Sequence, residues 1–215
     1  MVLVALSAVT SAQNRDAGTV VLDLTKPVPR EQQPSGIPGA SVGVDEGGKW
    51  VPPLYSLPLA VELRSISPQA VKPLDKFAVE LTLRNTGDAV FRLPASRNSV
   101  KVLKQGNTGR RSFLFSLILE DPNTGKQTSS VSASTDGSDT VPASWLRVEP
   151  SQVVRVLFTA DLYPIDTWVI AGLKQVRVRA QVSEWKYEDK RYFIETEAEP
   201  VVSQNTIVLD LAPPN

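Results

Sequence analysis

The sequence contains no cysteine and no histidine. These absences exclude disulfide bonds, thiol chemistry and the usual structural zinc sites. Histidine is also the side chain that most often acts as a base near neutral pH. The chain has no Gly-x-Ser-x-Gly motif, phosphate-binding loop or dinucleotide fingerprint. The composition therefore predicts a protein that is not an enzyme and that holds no cofactor and no metal.

An excess of charge of either sign is also missing. The 23 Lys and Arg residues balance the 23 Asp and Glu residues, so the formal net charge is zero. Because nucleic acids and anionic membranes attract proteins through positive charge, we expect no nucleic-acid partner. No segment has the roughly 20 consecutive apolar residues of a transmembrane helix, so we expect no transmembrane segment.

The first twelve residues, MVLVALSAVTSA, are apolar and end in small side chains. This pattern is typical of the last part of a secretory signal peptide, with cleavage before Gln13. The positive charges that open such peptides are missing, so we interpret residues 1–12 as the remnant of a longer signal. The protein is then extracytoplasmic, either periplasmic or secreted. An apolar start that is never processed is the alternative.

Residues 13–56 form an N-terminal arm whose second part is rich in proline. Seven prolines, with Pro58 as the last, occur in the stretch from Lys26 to Pro58, among glycines and polar residues. A stretch of this composition cannot build a hydrophobic core and is typical of an extended linker.

From Leu57 onward, apolar and polar residues alternate with the period of two that half-buried β-strands require. Turn residues such as Asn85-Thr86-Gly87-Asp88 separate the alternating segments, and no helical period occurs. The stretch Lys126 to Ala143, rich in Ser, Thr, Asp and Gly, is predicted to be a mobile surface loop. The predicted strands cover residues 57–66, 76–84, 89–93, 99–103, 112–119, 145–148, 153–159, 175–182, 191–196 and 206–211.

Many short antiparallel strands favour an all-β fold in which residues 57–215 form a two-sheet sandwich of immunoglobulin type. A closed barrel is the alternative. The succession LTLRNTGDAVFRL, VEPSQVVRVLFTADL, AGLKQVRVRAQV and VVSQNTIVLDL resembles bacterial extracytoplasmic immunoglobulin-like modules. It is loosely similar to proteinase inhibitors of the BsuPI type as well. The resemblance implies the fold but carries over no functional residue, and the typical immunoglobulin cysteine pair is absent.

One strand sequence occurs twice, as TVVLDLTKP from Thr19 and as TIVLDLAPP from Thr206. The second copy is expected to close the sandwich. The first lies beyond the linker, so it is free to add to a sheet edge of its own domain or of a neighbouring subunit. Coincidence between two common strand compositions is the alternative. The residues assigned to this docking are Val20, Val21, Leu22 and Leu24.

A second candidate binding surface is the predicted hairpin at residues 183–197. Trp185, Tyr187 and Tyr192 flank its charged turn, and exposed aromatics on a rigid hairpin suit a sugar or a protein partner. The alternative, which we favour, is cross-strand packing that only stabilises the hairpin.

Two polar clusters are weaker candidates. Asp136-Gly137-Ser138-Asp139 offers oxygen ligands of the kind calcium takes, although a solvated turn explains it better. The basic residues Lys101, Lys104, Arg110 and Arg111 flank a glycine-containing turn and suit a phosphate or an acidic partner.

Together these features predict a non-catalytic exported module that acts through protein–protein contacts at the cell envelope, with a protein partner or self-association by strand addition. The alternatives are a glycan-binding module that uses the aromatics and a protease inhibitor.

The export hypothesis predicts that the mature protein begins at Gln13. N-terminal sequencing of the protein recovered from its native cell checks this. A mature chain that still begins at Met1 would contradict it.

Overall fold

The computed structural model describes residues 19–26, 55–72, 75–97, 109–161, 172–187, 194–195 and 198–212. These residues form strands and one 3-10 turn, Pro142–Ser144, with no α-helix among them, so the predicted all-β class is confirmed. None of their helical turns has the length and apolar character needed to cross a membrane. The strands are β1 Val20–Asp23, β2 Tyr55–Ser56, β3 Leu59–Ser67, β4 Ala70–Val71, β5 Phe77–Asn85, β6 Phe91–Pro94, β7 Arg111–Glu120, β8 Gln127–Gly137, β9 Trp145–Val148, β10 Val153–Ala160, β11 Gln175–Tyr187, β12 Ile194–Glu195, β13 Ala198–Glu199, β14 Val201–Val202 and β15 Ile207–Leu211.

Two sheets hold most of these strands. The first has the order β1-β10-β5-β3, and the second has the order β4-β15-β11-β7-β8. The long pairings are antiparallel, as the sequence predicts, whereas the short pairs β1 with β10, β4 with β15 and β2 with β13 are parallel. Strands β6 and β9 form a separate antiparallel pair at one end of the sandwich.

The core lies between the two sheets and follows directly from the alternation. In β10, Val154, Val156 and Phe158 are fully buried, while Arg155 between them pairs with Glu80 on the neighbouring strand. The second sheet supplies an equivalent inner row on β7 and β11. The Phe158 ring meets the Phe115 ring across the core, with a centroid distance of 6.2 Å.

The predicted loop at Lys126 to Ala143 is wrong. Residues 127–137 instead form β8, which pairs with β7 in an antiparallel hairpin closed by the Asp121 to Gly125 turn. Composition was misleading because hydroxyl side chains can satisfy a strand position by hydrogen bonding. The Thr135 side chain is buried, and its hydroxyl donates to the Pro94 carbonyl at 2.7 Å.

Two predicted strand segments lie wholly or partly outside the described residues. The strand at 99–103 is one of them. The strand at 191–196 is described only at β12, which pairs with the end of β11 through Lys186 opposite Glu195.

The two copies of the repeated strand lie in different sheets. The first is β1, at the edge of the first sheet, and the second is β15, inside the second sheet. Each copy buries the two leucines of its Leu-Asp-Leu segment and exposes the aspartate between them. The two copies therefore have the same structural role. Each places two leucines in the core from a strand at the edge of a sheet or next to the edge strand.

Strand β1 belongs to the arm by sequence but pairs with β10 of its own chain. After the strand, the Leu24 amide donates to the Leu157 carbonyl at 2.7 Å. The Thr25 hydroxyl and amide both donate to Asp23, and they hold the pKa of this carboxyl below its ordinary value. The Arg97 guanidinium donates to the Lys26 carbonyl. The end of β1 is thus fixed by several contacts.

If the packing of β1 in cis stabilises the domain, Leu24→Ala will lower the free energy of unfolding by about 2–3 kcal/mol, because it leaves a cavity beside the core. Val208→Ala in β15 is the matched control, since Val208 is 51% exposed, and we expect a change within about 0.5 kcal/mol. Urea denaturation measures both. Equal stability of the Leu24→Ala variant and the parent would show that β1 adds nothing to the fold.

Candidate functional site

A pocket of about 300 Å³ opens at the end of the sandwich where the β6–β9 pair meets the start of β7. Its volume is at the lower end of the range for small-ligand pockets. Aromatic and arginine side chains dominate its lining, which consists of Val90, Phe91, Arg92, Gly109, Arg110, Arg111, Asp139 and Trp145.

Arg92 lies on the Trp145 ring. The two residues occupy paired strands, and the Cζ atom of Arg92 is 4.5 Å from the ring centroid. The guanidinium Nη2 also contacts Asp139 Oδ1 at 2.9 Å. Both members of this ion pair are about half exposed, with side-chain exposures of 53% and 49%. The stacked ring orients the guanidinium, whereas the carboxylate that faces it is accessible to water.

Two glycines leave room for two of the side chains that line the pocket. A Cβ atom at Gly137 would lie 2.8 Å from the Trp145 ring, so only glycine lets the indole pack on β8. Gly109 has a φ of +60°, and a Cβ there would lie 1.9 Å from Asp139 Oδ2. Glycine at both positions therefore leaves the space that the Trp145 and Asp139 side chains occupy.

The floor of the pocket contains a buried ion pair. The Arg110 side chain is only 5% exposed, and its Nη2 lies 3.4 Å from Asp136 Oδ1. The Ser112 hydroxyl donates to the same oxygen. Charges removed from water need such partners, because an uncompensated buried charge costs several kcal/mol.

A second arginine of the lining is held by another buried carboxylate. Arg111 Nη1 lies 3.0 Å from Glu184 Oε1, and the Glu184 side chain is 4% exposed. The Tyr55 hydroxyl donates to the other oxygen of Glu184. This contact links β2, the last part of the arm, to the paired strands β7 and β11.

The structure brings together only part of what the sequence singled out. Arg110 and Arg111 line the pocket, whereas Lys101 and Lys104 lie outside the described residues. Asp136 and Asp139 face arginines instead of forming a calcium turn, and the described residues contain no group of three or more candidate metal ligands. Sequence reasoning missed Arg92 and Trp145, because nothing local indicates that β6 pairs with β9.

The aromatic surface predicted at the β11–β12 hairpin is not formed by Trp185. The indole is only 7% exposed and packs on Leu114, so it offers little area to a sugar. Burial of this side chain agrees with the cross-strand packing alternative. Tyr192 lies outside the described residues, as does the side chain of Tyr187.

The sequence matches no protein-family model and no curated protein. Among solved structures it resembles the alkylpurine DNA glycosylase AlkC of Pseudomonas fluorescens, with 7% identity, a TM-score of 0.37, and coverage of 74% of this chain and 31% of that one. It also resembles the sporulation control protein Spo0M of Bacillus subtilis, with 9% identity, a TM-score of 0.34, and coverage of 71% of this chain and 49% of that one. A CARDB domain from Pyrococcus furiosus matches with 10% identity, a TM-score of 0.30, and coverage of 74% of this chain and 97% of that one. The chain spans less than half of the first two structures, and no function transfers at these levels of similarity.

The buried Arg110–Asp136 pair should contribute more to the free energy of unfolding than the exposed Arg92–Asp139 pair. Asp136→Ala leaves the Arg110 charge without this carboxylate, so we expect the free energy of unfolding to fall by about 3 kcal/mol or more. Asp139→Ala removes an exposed pair three residues later and should cost less than about 1 kcal/mol. Urea denaturation of both variants measures the difference. Similar losses in the two variants would contradict this assignment.

Proposed function

We propose that the chain is a non-catalytic, exported, immunoglobulin-like binding module that acts through protein–protein contacts at the cell envelope. A partner polypeptide adds a strand along the outer edge of β8. Backbone hydrogen bonds then supply the affinity, as in other β-augmented complexes.

The observation that carries the proposal is the outer edge of β8. This strand is the last of its sheet, and among the described residues its outer edge forms one backbone bridge, between Ser96 and Asp136. The segment before that bridge, Gln127 to Ser134, contains no charged residue and no proline. Proteins usually protect exposed edges with such residues, so an edge of this length that lacks them favours pairing with another chain.

The other edges of the two main sheets carry protection. Strands β3 and β8 both contain a bulge, between Leu63 and Ser65 and between Val131 and Ala133. At the β3 bulge, Asn205 also forms hydrogen bonds with the amide and the carbonyl of Leu63. Strand β4 has only two residues, and β1 has four, with Asp23 exposed. Because β1 already occupies the outer side of β10, the candidate for a partner strand is β8.

The remaining parts of the proposal rest on the sequence. The apolar residues 1–12, ending in small side chains, support export. The missing histidines and cysteines support a role without catalysis. Burial of Trp185 gives no support to the glycan alternative. A protease inhibitor would need an exposed loop, and most of the stretch Lys126 to Ala143, the predicted loop, is strand β8.

Photo-crosslinking in the native cell tests the proposal. A photoreactive residue at exposed Ser129, on β8, should give a covalent adduct with another polypeptide in the extracytoplasmic fraction. The same residue at exposed Ser65, on the protected edge of β3, is the matched control and should give none. Absence of an adduct at Ser129, or equal adducts at both positions, would rule out strand addition at β8.

A further inference from the structure

We infer that the pocket between β6, β9 and the start of β7 binds a carboxylate that carries a small apolar or aromatic group, with Arg92 as its main contact. The inference goes beyond strand addition at β8 and uses different residues.

The first step concerns orientation. An arginine in water moves among many rotamers, and binding must overcome that freedom. Arg92 already lies over the Trp145 ring, with its Cζ atom 4.5 Å from the centroid, and the planar guanidinium fork matches a carboxylate in geometry. The Arg92 side chain therefore loses less conformational entropy when a ligand binds.

The second step concerns the group that faces Arg92 now. Asp139 contacts the guanidinium from the turn after β8. Half-exposed ion pairs of this kind contribute little to stability, because water and ions screen them. The Asp139 carboxylate therefore occupies the position that we assign to a ligand carboxylate, and a ligand can displace it at a modest cost in free energy.

The third step concerns the class of ligand. Phe91, Val90 and the Trp145 ring form apolar walls beside Arg92, and Val90 is exposed. A volume of about 300 Å³ suits a group about the size of one amino acid or a small organic acid. Two sources have this chemistry, namely a free aromatic acid and the C-terminal residue of a polypeptide.

Calorimetric titration of the full chain with defined probes tests the inference. The probes are benzoate, a short peptide that ends in phenylalanine with a free carboxylate, and the same peptide with an amidated C-terminus. We expect binding of at least one of the two acids, and at least tenfold weaker binding of the amide than of the free peptide if the peptide is the ligand. Tighter binding of benzoate than of the peptide assigns a small acid, and the reverse assigns a chain terminus. No binding of either acid, or equal binding of amide and free peptide without binding of benzoate, overturns the inference.

Three variants separate Arg92 from general charge effects. Arg92→Gln should weaken binding of the acid at least tenfold, whereas Asp139→Asn should strengthen it about two- to fivefold, because it removes the competitor. The control is Arg147→Gln, since Arg147 lies opposite Arg92 on β9 but does not line the pocket, and it should change the affinity less than twofold. Binding that is unchanged by Arg92→Gln, or weakened by Asp139→Asn, would refute the role of the pocket. A crosslink at Ser129 is independent of all these outcomes.

Discussion

The contact between the two inner faces of the sandwich determines the rest of the structure. Phe115 and Phe158 meet there, and each belongs to a strand with a continuous buried row. Truncation of such a side chain to alanine typically costs about 3–5 kcal/mol, which is a large part of the stability of a domain. A one-residue shift in either sheet would turn these rows to the outside, so the core fixes the register. Fixed register of β7 on β11 in turn brings Arg111 within 3.0 Å of Glu184.

The polar end of the sandwich shows how buried and exposed ion pairs differ in what they can do. Arg110 with Asp136, and Arg111 with the buried Glu184, link strands to one another, and loss of Asp136 would leave the buried Arg110 charge without this carboxylate. Arg92 with Asp139 is accessible to water. A pair with a buried carboxylate suits a rigid pocket floor. The exposed Arg92–Asp139 pair can instead exchange its carboxylate for that of a ligand. The pocket combines both within a few residues of β7 and β8.

Strand positions could be predicted from sequence wherever side chains alternate between core and solvent, as in β5 and β10. The rule failed for β8, because its hydroxyl-rich composition is also that of a loop, and burial of Thr135 depends on a carbonyl far along the chain. It also failed to locate the pocket, since Arg92 and Trp145 are distant in sequence and meet only through strand pairing. For Trp185, the alternation predicted on which side of the strand the indole lies, but it did not predict that other residues cover that side.

The contacts at Lys26 and Tyr55 have a consequence for the proline-rich stretch between them. Arg97 holds the carbonyl at one end, and Glu184 holds the phenol at the other. Both ends of this stretch of roughly thirty residues are thus anchored to the same domain, and the entropy cost of holding two such ends together grows only slowly with the length between them. A single proteolytic cut within it would turn an intramolecular strand into a separate peptide, retained by its leucines, its backbone hydrogen bonds and the contact of Arg97 with Lys26. Retention of that peptide would then depend on protein concentration.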